Sequence, residues 1–136
     1  MHGDFNARQI MINRKTQQTV FIDFECCGWG PGAVDLCTMM WQIGSIRRRL
    51  YEKEFLRRYH EALAASGKVD PEVMTLEKIT SDYVRFFVPR AIQTLLALPI
   101  NSPHYTSFLV ESLSSFIQDN KITPESVAQP YFQQTM

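Results

Sequence analysis

Helical periodicity over most of its length is the feature that most limits how this chain can fold. From residue 34 onward, apolar residues recur at intervals of three and four, as they do along one side of a helix. Strand-like sequence is confined to residues 10–24, "IMINRKTQQTVFIDF", where a polar turn separates two short apolar runs. The sequence therefore predicts an α+β fold that is mainly α, with a short β-hairpin followed by four to five helices.

Turn and capping residues divide the helical region. The glycine-rich stretch "ECCGWGPGAVD" predicts a loop that leads into a helix over 34–44, and a second helix is expected to end at Gly67. Asp70 as N-cap with Pro71 in the first turn predicts a third helix, either continuous or broken near Pro89. Two later helices are expected to begin at Ser102–Pro103 and at Thr123–Pro124.

Burial on the second helix is predicted from its spacing. Its inward side is expected to carry Ile46, Leu50, Phe55, Tyr59 and Leu63. The run Arg47 to Arg49 is interpreted as a solvated face of the same helix. In the first helix, Met39, Met40 and Trp41 are interpreted as core, with the wall of a substrate pocket as the alternative.

Composition narrows the class of protein. The 136 residues fit one domain, and 14 basic against 14 acidic residues give no net charge, so we expect neither nucleic acid nor membrane as a partner. No apolar run could span a bilayer, and "MHGDFNARQ" is too polar for a secretory signal, so a cytoplasmic protein is expected. Cys26, Cys27 and Cys37 do not have the spacing of a disulfide framework, and we expect them to be reduced and buried.

Three oxygen-bearing side chains lie at the two ends of the predicted hairpin. Asp4 and Gln9 precede its first strand, and Asp23 ends the second, so antiparallel pairing would place them side by side. Phosphoryl transfer needs a carboxylate that orients the attacking hydroxyl and further oxygens that hold Mg²⁺. The alternative for Asp4 is a turn or capping residue, and for Gln9 a plain surface residue. Asp23 beside apolar neighbours needs a cation or hydrogen-bond donors.

The order and spacing of three motifs point to a known family. "HGDFNARQIMI", then "VFIDFE" and then "GWGPGAVDL" resemble the catalytic half of the aminoglycoside phosphotransferase and choline kinase family, which has a protein-kinase-like fold. The resemblance covers residues 2 to about 40. It implies that the chain corresponds to the C-terminal lobe of that fold, as a single domain 1–136 with catalytic and metal-binding loops in 1–35 and a helical subdomain in 36–136.

The resemblance also implies roles for individual residues. Asp4 corresponds to the catalytic base, Asp23 to the principal Mg²⁺ ligand, and Gln9 to the position where the family has an Asn metal ligand. Glu25 would bind a second metal or a water, and Asp35 would brace the catalytic loop. His2, judged from its place in the sequence and not from the resemblance, is expected to shape the loop by hydrogen bonding and not to act as a catalyst. The implied activity is ATP- and Mg²⁺-dependent phosphorylation of a hydroxyl on an aminoglycoside, an amino alcohol or a sugar-like molecule.

Two departures from the family pattern set further expectations. Gln9 is one methylene longer than Asn, which displaces its amide oxygen by about 1.5 Å and weakens a metal site that demands regular geometry. No counterpart of the family's N-terminal ATP-binding lobe precedes "MHGD", so we expect the 136-residue chain alone to bind ATP weakly and to be inactive.

Other interpretations of the sequence remain open. A non-catalytic binding or regulatory domain derived from a kinase-like lobe is the main alternative, with self-association through apolar surface that the missing lobe would cover. Gly28, Gly30 and Ala33 match a dinucleotide fingerprint, but the stretch where its acidic partner should follow a strand is helical in pattern. A zinc site from the cysteines and His2 lacks the usual ligand spacing.

Overall fold

The computed structural model describes residues 1–97 and 103–127, without the side chain of Val127. A 3-10 helix, Ala7–Gln9, leads into a hairpin of strands β1 (Ile10–Ile12) and β2 (Thr19–Phe21). The helices then follow in order as α1 (Ala33–Trp41), α2 (Ser45–Ala65), α3 (Leu76–Ala97), α4 (Pro103–Asp119) and α5 (Pro124–Val127). The described ranges thus confirm the predicted class, an α+β fold that is mainly α with one hairpin.

The hairpin is short and lies at the surface. Its strands pair antiparallel, with Ile10 opposite Phe21 and Ile12 opposite Thr19. Phe21 keeps 45% of its surface exposed, and Ile12 keeps 60%. A two-stranded hairpin is at best marginally stable alone, so its position depends on the helices beside it.

The core lies among the helices, where α1 packs most extensively against α3. Three aromatic rings form its centre, because Phe87 stacks on Phe116 at 3.6 Å between ring centroids and Tyr83 meets both rings edge-on. Trp41 fastens α1 to α4, since its Nε1 donates to the Leu109 carbonyl at 3.2 Å. The other fully or nearly buried apolar residues of this core are Leu36, Cys37, Met40, Leu56, Ile79, Val88 and Ala91.

The predicted inward side of α2 is partly wrong. Ile46 and Leu50 are 73% and 68% exposed, whereas Leu56 is buried and Arg48 has no exposed surface. The interpretation of Arg48 as part of a solvated face is therefore wrong as well. Spacing could not reveal this, because the burial of a guanidinium depends on partners that other helices supply.

Arg48 is buried because its charge is matched on two helices. It pairs with Glu52 at 2.9 Å on its own helix and with Asp119 at the end of α4, and it donates to Ser115 Oγ at 3.2 Å. Its guanidinium also lies 5.1 Å from the ring centroid of Phe116. Buried arginines are tolerated when they are paired in this way.

The start of α3 and the placement of two cysteines also differ from expectation. Asp70 caps only a turn, with its Oδ1 accepting from Glu72 N at 2.9 Å, and Thr75 precedes the first residue of α3 and accepts from Lys78 N at 3.2 Å. The helix then continues through Pro89 without a break. All three cysteines are free, but only Cys37 is buried, whereas Cys26 and Cys27 are exposed in the loop before α1.

The observed starts of α4 and α5 agree with the starts predicted from the sequence. Helix α4 begins at Pro103 and α5 at Pro124, and Ser102 lies outside the described residues. Helix α2 ends at Ala65, just before Gly67 with its positive φ of 64°. Across residues 1–97 and 103–127, the helices are all too short or too polar to cross a membrane.

Candidate functional site

The register of the hairpin brings its two ends together. Beyond the last paired residues, the Ile22 N–H donates to the Gln9 carbonyl at 3.0 Å and extends the antiparallel ladder by one bond. Asp23 follows immediately, so its backbone lies next to the end of the 3-10 helix. The sequence-based expectation that Gln9 and Asp23 lie side by side is met by this pairing.

The Gln9 amide joins the two aspartates. Its Nε2 donates to Asp23 Oδ2 at 2.7 Å and to Asp4 Oδ2 at 3.3 Å. Only the NH₂ end of the amide can face them, because ionised carboxylates accept hydrogen bonds and do not donate. The structure therefore brings Asp4, Gln9 and Asp23 into one cluster, in which the NH₂ group of Gln9 lies between the two carboxylates.

Asp23 has an unusual backbone conformation. Its φ is +64°, in the left-handed region that residues with a Cβ seldom enter. Aspartate is among the residues that tolerate this region best, although it still costs about 1–2 kcal/mol relative to an ordinary conformation. Strain of this kind is often found at functional sites, and here it turns the chain sharply between β2 and the following loop.

The loop that carries Asp4 is held by a carboxylate from the first helix. Asp35 accepts from the backbone N–H of His2 at 2.6 Å and from that of Gly3 at 2.8 Å. Asp35 lies in the first turn of α1, so the rigid helix fixes the peptide units just before Asp4. Hydrogen bonds to a charged acceptor are stronger than neutral ones, which suits this arrangement to holding a loop.

The His2 side chain ties the loop to the end of β2. Its Nε2 lies 2.9 Å from the Ile22 carbonyl oxygen, and its ring lies 4.6 Å from that of Phe24 and 5.8 Å from that of Phe5. A carbonyl only accepts, so Nε2 is the donor in this bond. His2 is thus placed in the loop packing and not at the carboxylate cluster.

Two residues that the sequence interpretation missed complete the support of the loop. Asn6 has no exposed surface, and its side chain donates to the Asp4 carbonyl at 3.1 Å and accepts from Arg8 N at 3.0 Å. The signal for Asn6 was its position just before a helical turn, where Asn is a favoured cap. Arg90, from α3, donates to the Gly3 carbonyl, and no local signal marks it.

Glu25 and Met39 have different placements. Glu25 is exposed in the turn closed by the Cys27 N–H on the Phe24 carbonyl at 3.0 Å, and it does not join the hydrogen bonds that the structure describes around Gln9. Met40 and Trp41 are buried in the core. Met39 instead lines a cavity of about 270 Å³ together with Ala7, Arg8, Gln42, Ile43 and Tyr105.

Burial affects two ionisable groups near the start of α1, the Tyr59 hydroxyl and the Cys37 thiol. Burial raises the pKa of the Tyr59 hydroxyl above its ordinary value, and the negative charge of Asp35 adds to the effect. Burial also raises the pKa of the Cys37 thiol well above its ordinary value. Tyr59 lies so close to Gly32 that a Cβ there would be 2.0 Å from the Tyr59 hydroxyl oxygen, so a larger residue before α1 would displace the end of the Tyr59 side chain.

The carboxylate cluster has the donor chemistry of a magnesium site. Two carboxylates and an amide are the oxygen ligands that Mg²⁺ accepts, and the Gln9 NH₂ now occupies the place between the carboxylates where a cation would be balanced. A half-turn of the amide would present its oxygen instead of its nitrogen. In the described part of the chain no group of three or more His, Cys, Asp or Glu residues could hold a metal by itself. Such a site would need further ligands, which nucleotide phosphates and water commonly supply.

Comparison with known proteins identifies a family. The family model of APH, the phosphotransferase enzyme family, matches residues 1–74, which include the loop, the hairpin, α1 and α2. Neither the curated proteins nor the solved structures include one that matches this chain. Since the matched segment is more than half of the 136 residues, the chain belongs to the phosphotransferase enzyme family.

Proposed function

We propose that this chain carries the catalytic residues of a small-molecule kinase, which transfers the γ-phosphoryl group of ATP to a hydroxyl of its substrate. The substrate class would be an aminoglycoside, an amino alcohol or a sugar-like molecule. The observation that carries the proposal is the Gln9 amide bridging Asp4 and Asp23, because it shows that the loop and the hairpin present both carboxylates to one point. Family membership supports phosphotransfer as the reaction class.

Asp4 is the residue proposed to act on the acceptor. It is half-buried at the end of the loop, and its carbonyl is bonded by the buried Asn6 side chain, so its backbone is fixed. In phosphoryl transfer a carboxylate in this place orients the attacking hydroxyl and accepts its proton. The proton would move from the substrate oxygen to Asp4 as that oxygen bonds to the γ-phosphorus, the bond from this phosphorus to the bridging oxygen breaks, and ADP leaves.

Asp23 and Gln9 are proposed to hold Mg²⁺. The ion, when bound, neutralises charge on the nucleotide phosphates and keeps them aligned with the acceptor. Asp23 supplies a carboxylate from a backbone position that is turned out of the strand, and Gln9 supplies an amide oxygen after reorientation. Glu25 is proposed as an outer ligand for a second metal or a water.

His2 and Asp35 are proposed to support the site without touching the substrate. Asp35 holds two consecutive N–H groups before Asp4, and His2 fixes the carbonyl that precedes Asp23. Together they would set the distance between the loop that carries Asp4 and the end of β2 that carries Asp23. We also propose a cytoplasmic location, which is consistent with three free thiols and with the need for ATP.

Metal binding tests the proposal most directly. Mn²⁺, a magnetic substitute for Mg²⁺, would be titrated into the protein with ATP present and followed by electron paramagnetic resonance. We expect Asp23→Asn to abolish the bound signal, because it removes the principal charged ligand. The exposed Glu125→Gln on α5 is the matched control and should bind as the parent does.

Phosphoryl transfer would then be measured on a form that includes an ATP-binding lobe, with γ-labelled ATP and a panel of hydroxyl acceptors. Asp4→Asn should lower transfer at least about a hundredfold, the usual range for removing a general base, while leaving the Mn²⁺ signal in place. Because the 136-residue chain alone is expected to be inactive, the kinase function would be contradicted by a form that includes an ATP-binding lobe and still neither binds Mn²⁺ with ATP nor transfers phosphate.

A binding domain is the second candidate, and exposed aromatic side chains favour it. Phe21 and Phe24 keep 45% and 52% of their surface exposed, and Trp29 is fully exposed. All three lie at the same end of the chain as the carboxylate cluster, and exposed apolar groups of this kind are typical of protein contacts. Under this proposal the surface supports self-association, which sedimentation over a range of protein concentrations would detect.

A further inference from the structure

We propose that Arg90, on α3, is a positioning residue that holds the Gly3 carbonyl and thereby sets the place of Asp4 relative to Asp23. The inference rests on the proposed function, because it assigns Arg90 an effect on the same carboxylate cluster. Arg90 lies beyond residues 1–74, the segment that the family model matches.

The Arg90 side chain joins three elements. Its Nη2 donates to the Gly3 carbonyl in the loop, and its Nε donates to Thr38 Oγ1 on α1 at 2.8 Å. Its remaining Nη1 donates to Gln93 Oε1 at 3.0 Å, one turn further along α3. The guanidinium is half-buried and all of its nitrogens are used, so its orientation is fixed from three sides.

The Gly3 peptide is consequently held at both of its polar ends. Asp35 accepts from its N–H at 2.8 Å, and Arg90 donates to its carbonyl. Gly3 has a φ of +88°, and a Cβ there would lie 2.1 Å from the Cys26 carbonyl oxygen. Since Gly3 can neither shift toward Cys26 nor release its two bonds without cost, the next residue, Asp4, leaves the loop in one direction.

Arginine is needed for this arrangement because of its shape. The planar fork presents Nε and Nη2 to two acceptors at a fixed angle, whereas a lysine ammonium reaches the same distance as a single point charge. Thr38 is itself fixed, since its hydroxyl donates to the Val34 carbonyl at 3.0 Å and leaves a lone pair for Arg90. Helices α1 and α3 thus act through one guanidinium on the loop.

A purely structural role would make a different prediction. The hydrogen bonds of Arg90 go to Gly3, Thr38 and Gln93, and its partner on the loop is 87 residues away in sequence. If it only stabilised the fold, its loss would loosen the whole molecule evenly. If it positions the loop, its loss would loosen residues 1–9 first.

Hydrogen exchange of the full 136-residue protein separates these outcomes. In Arg90→Gln, amide exchange of a peptide covering residues 1–9 should accelerate about tenfold or more, the scale of a lost bond from a charged donor. Exchange in α2 should stay as in the parent protein. Gln93→Ala is the matched control, because it removes an Arg90 partner that does not touch the loop, and it should leave residues 1–9 unchanged.

Mn²⁺ affinity in the presence of ATP supplies the second measurement. Arg90→Gln should weaken binding about tenfold in a protein that stays folded, and Arg90→Lys should recover part of the loss through one restored bond. Should Arg90→Gln fail to fold, Thr38→Val tests the same link, since it removes the Nε acceptor. Residues 1–9 that exchange at the parent rate in a folded variant would overturn the proposal.

Failure of the proposed function is distinguishable from failure of this inference. If a form of the protein that includes an ATP-binding lobe binds no Mn²⁺ with ATP, the kinase function fails, and faster exchange at residues 1–9 in Arg90→Gln no longer bears on catalysis, so the positioning role falls with it. If the parent binds Mn²⁺ and the variant binds it equally well, only the role of Arg90 is wrong.

Discussion

Different interactions order the helical part of the molecule and the loop and hairpin that form the site. In the helical part, apolar burial dominates, with Phe87 and Phe116 fully buried and stacked at 3.6 Å. In the site, Phe21 is 45% exposed and the hairpin has only three residues in each strand. Order there comes from hydrogen bonds that reach the backbone of Gly3 from Asp35 and Arg90.

This difference indicates that contacts with the helices keep the loop and the hairpin of the site ordered. A hairpin of this size has little stability of its own, and the loop before it has little apolar surface to bury. Changes in the core should therefore alter the free energy of unfolding without changing the folded site. Changes in the bonds that cross to the loop should alter the site more than the fold.

Phe87→Ala should have the largest effect on stability. Removing a fully buried ring that stacks on Phe116 should lower the free energy of unfolding by about 3–5 kcal/mol. Denaturant titration would measure the loss, and Ile92→Ala, at a residue 45% exposed on the same helix, is the control. The contrast between the two regions breaks down if the folded fraction of Phe87→Ala binds Mn²⁺ with ATP more weakly than the parent.

Asp35→Asn should affect the site more than the core. The change removes the charged acceptor of two N–H groups and should cost about 1.5–3 kcal/mol of stability. Because the amide presents one NH₂ toward those donors, we also expect weaker Mn²⁺ binding and faster amide exchange in residues 1–9. Unchanged Mn²⁺ affinity in the folded variant would show that the loop that carries Asp4 keeps its conformation without Asp35.

Acidification should weaken the helical part through Asp119. Hydrogen bonds from Arg49 and Arg48 lower its pKa from 3.8 to about 2 in the folded state. A group with a lowered folded pKa binds its proton more readily when unfolded, so its contribution is complete above about pH 4 and is lost toward pH 2. Asp119→Asn should flatten the fall in thermal stability over this range.

Glu54 titrates in the same range and serves as the comparison for Asp119. Hydrogen bonds from Arg57 and Arg58 lower its pKa to about 2 at an exposed position on α2. Solvent screens such surface pairs, so Glu54→Gln should change the acid dependence less than Asp119→Asn. An equal or larger change would show that the ion pairs joining α2 to α4 add nothing beyond surface charge.

Gln9→Asn should have the smallest effect on stability and a specific effect on the site. The shorter side chain would place an amide oxygen where the family resemblance implies an Asn ligand, so in a form that includes an ATP-binding lobe we expect Mn²⁺ affinity with ATP and turnover to rise about three- to tenfold, or roughly 0.7–1.4 kcal/mol. Thermal unfolding should shift by no more than about 0.5 kcal/mol, because residue 9 lies at the edge of the fold. A lower rate would indicate that the longer amide is suited to this site.

Most of the fold followed from local pattern. The hairpin, the loop before α1 and the start of α4 at Pro103 depend on neighbouring residues, and the structure agrees with them. The face of α2 did not follow, because Arg48 is buried by Glu52 and Asp119, and the second of these lies 71 residues away. The start of α3 differed because two capping residues, Asp70 and Thr75, compete within one turn of chain.

The site was predictable where it is contiguous and unpredictable where it is assembled from distant elements. Asp4, Gln9 and Asp23 share a short hairpin, so pairing rules alone place them together. Arg90 lies on α3 with the spacing of any helical residue, and only tertiary structure brings it to Gly3. The roles assigned to these residues stay predictions until the variants above are measured.

The left-handed backbone at Asp23 limits which sequences can occupy this position. Glycine, asparagine and aspartate are the residues that enter a φ of +64° at low cost, and of these only aspartate brings a carboxylate to the cluster. Shape and charge thus favour the same residue at this position. In a saturation library, glycine, asparagine and aspartate should be enriched among folded variants, and aspartate alone should keep metal binding if Asp23 holds Mg²⁺ as proposed.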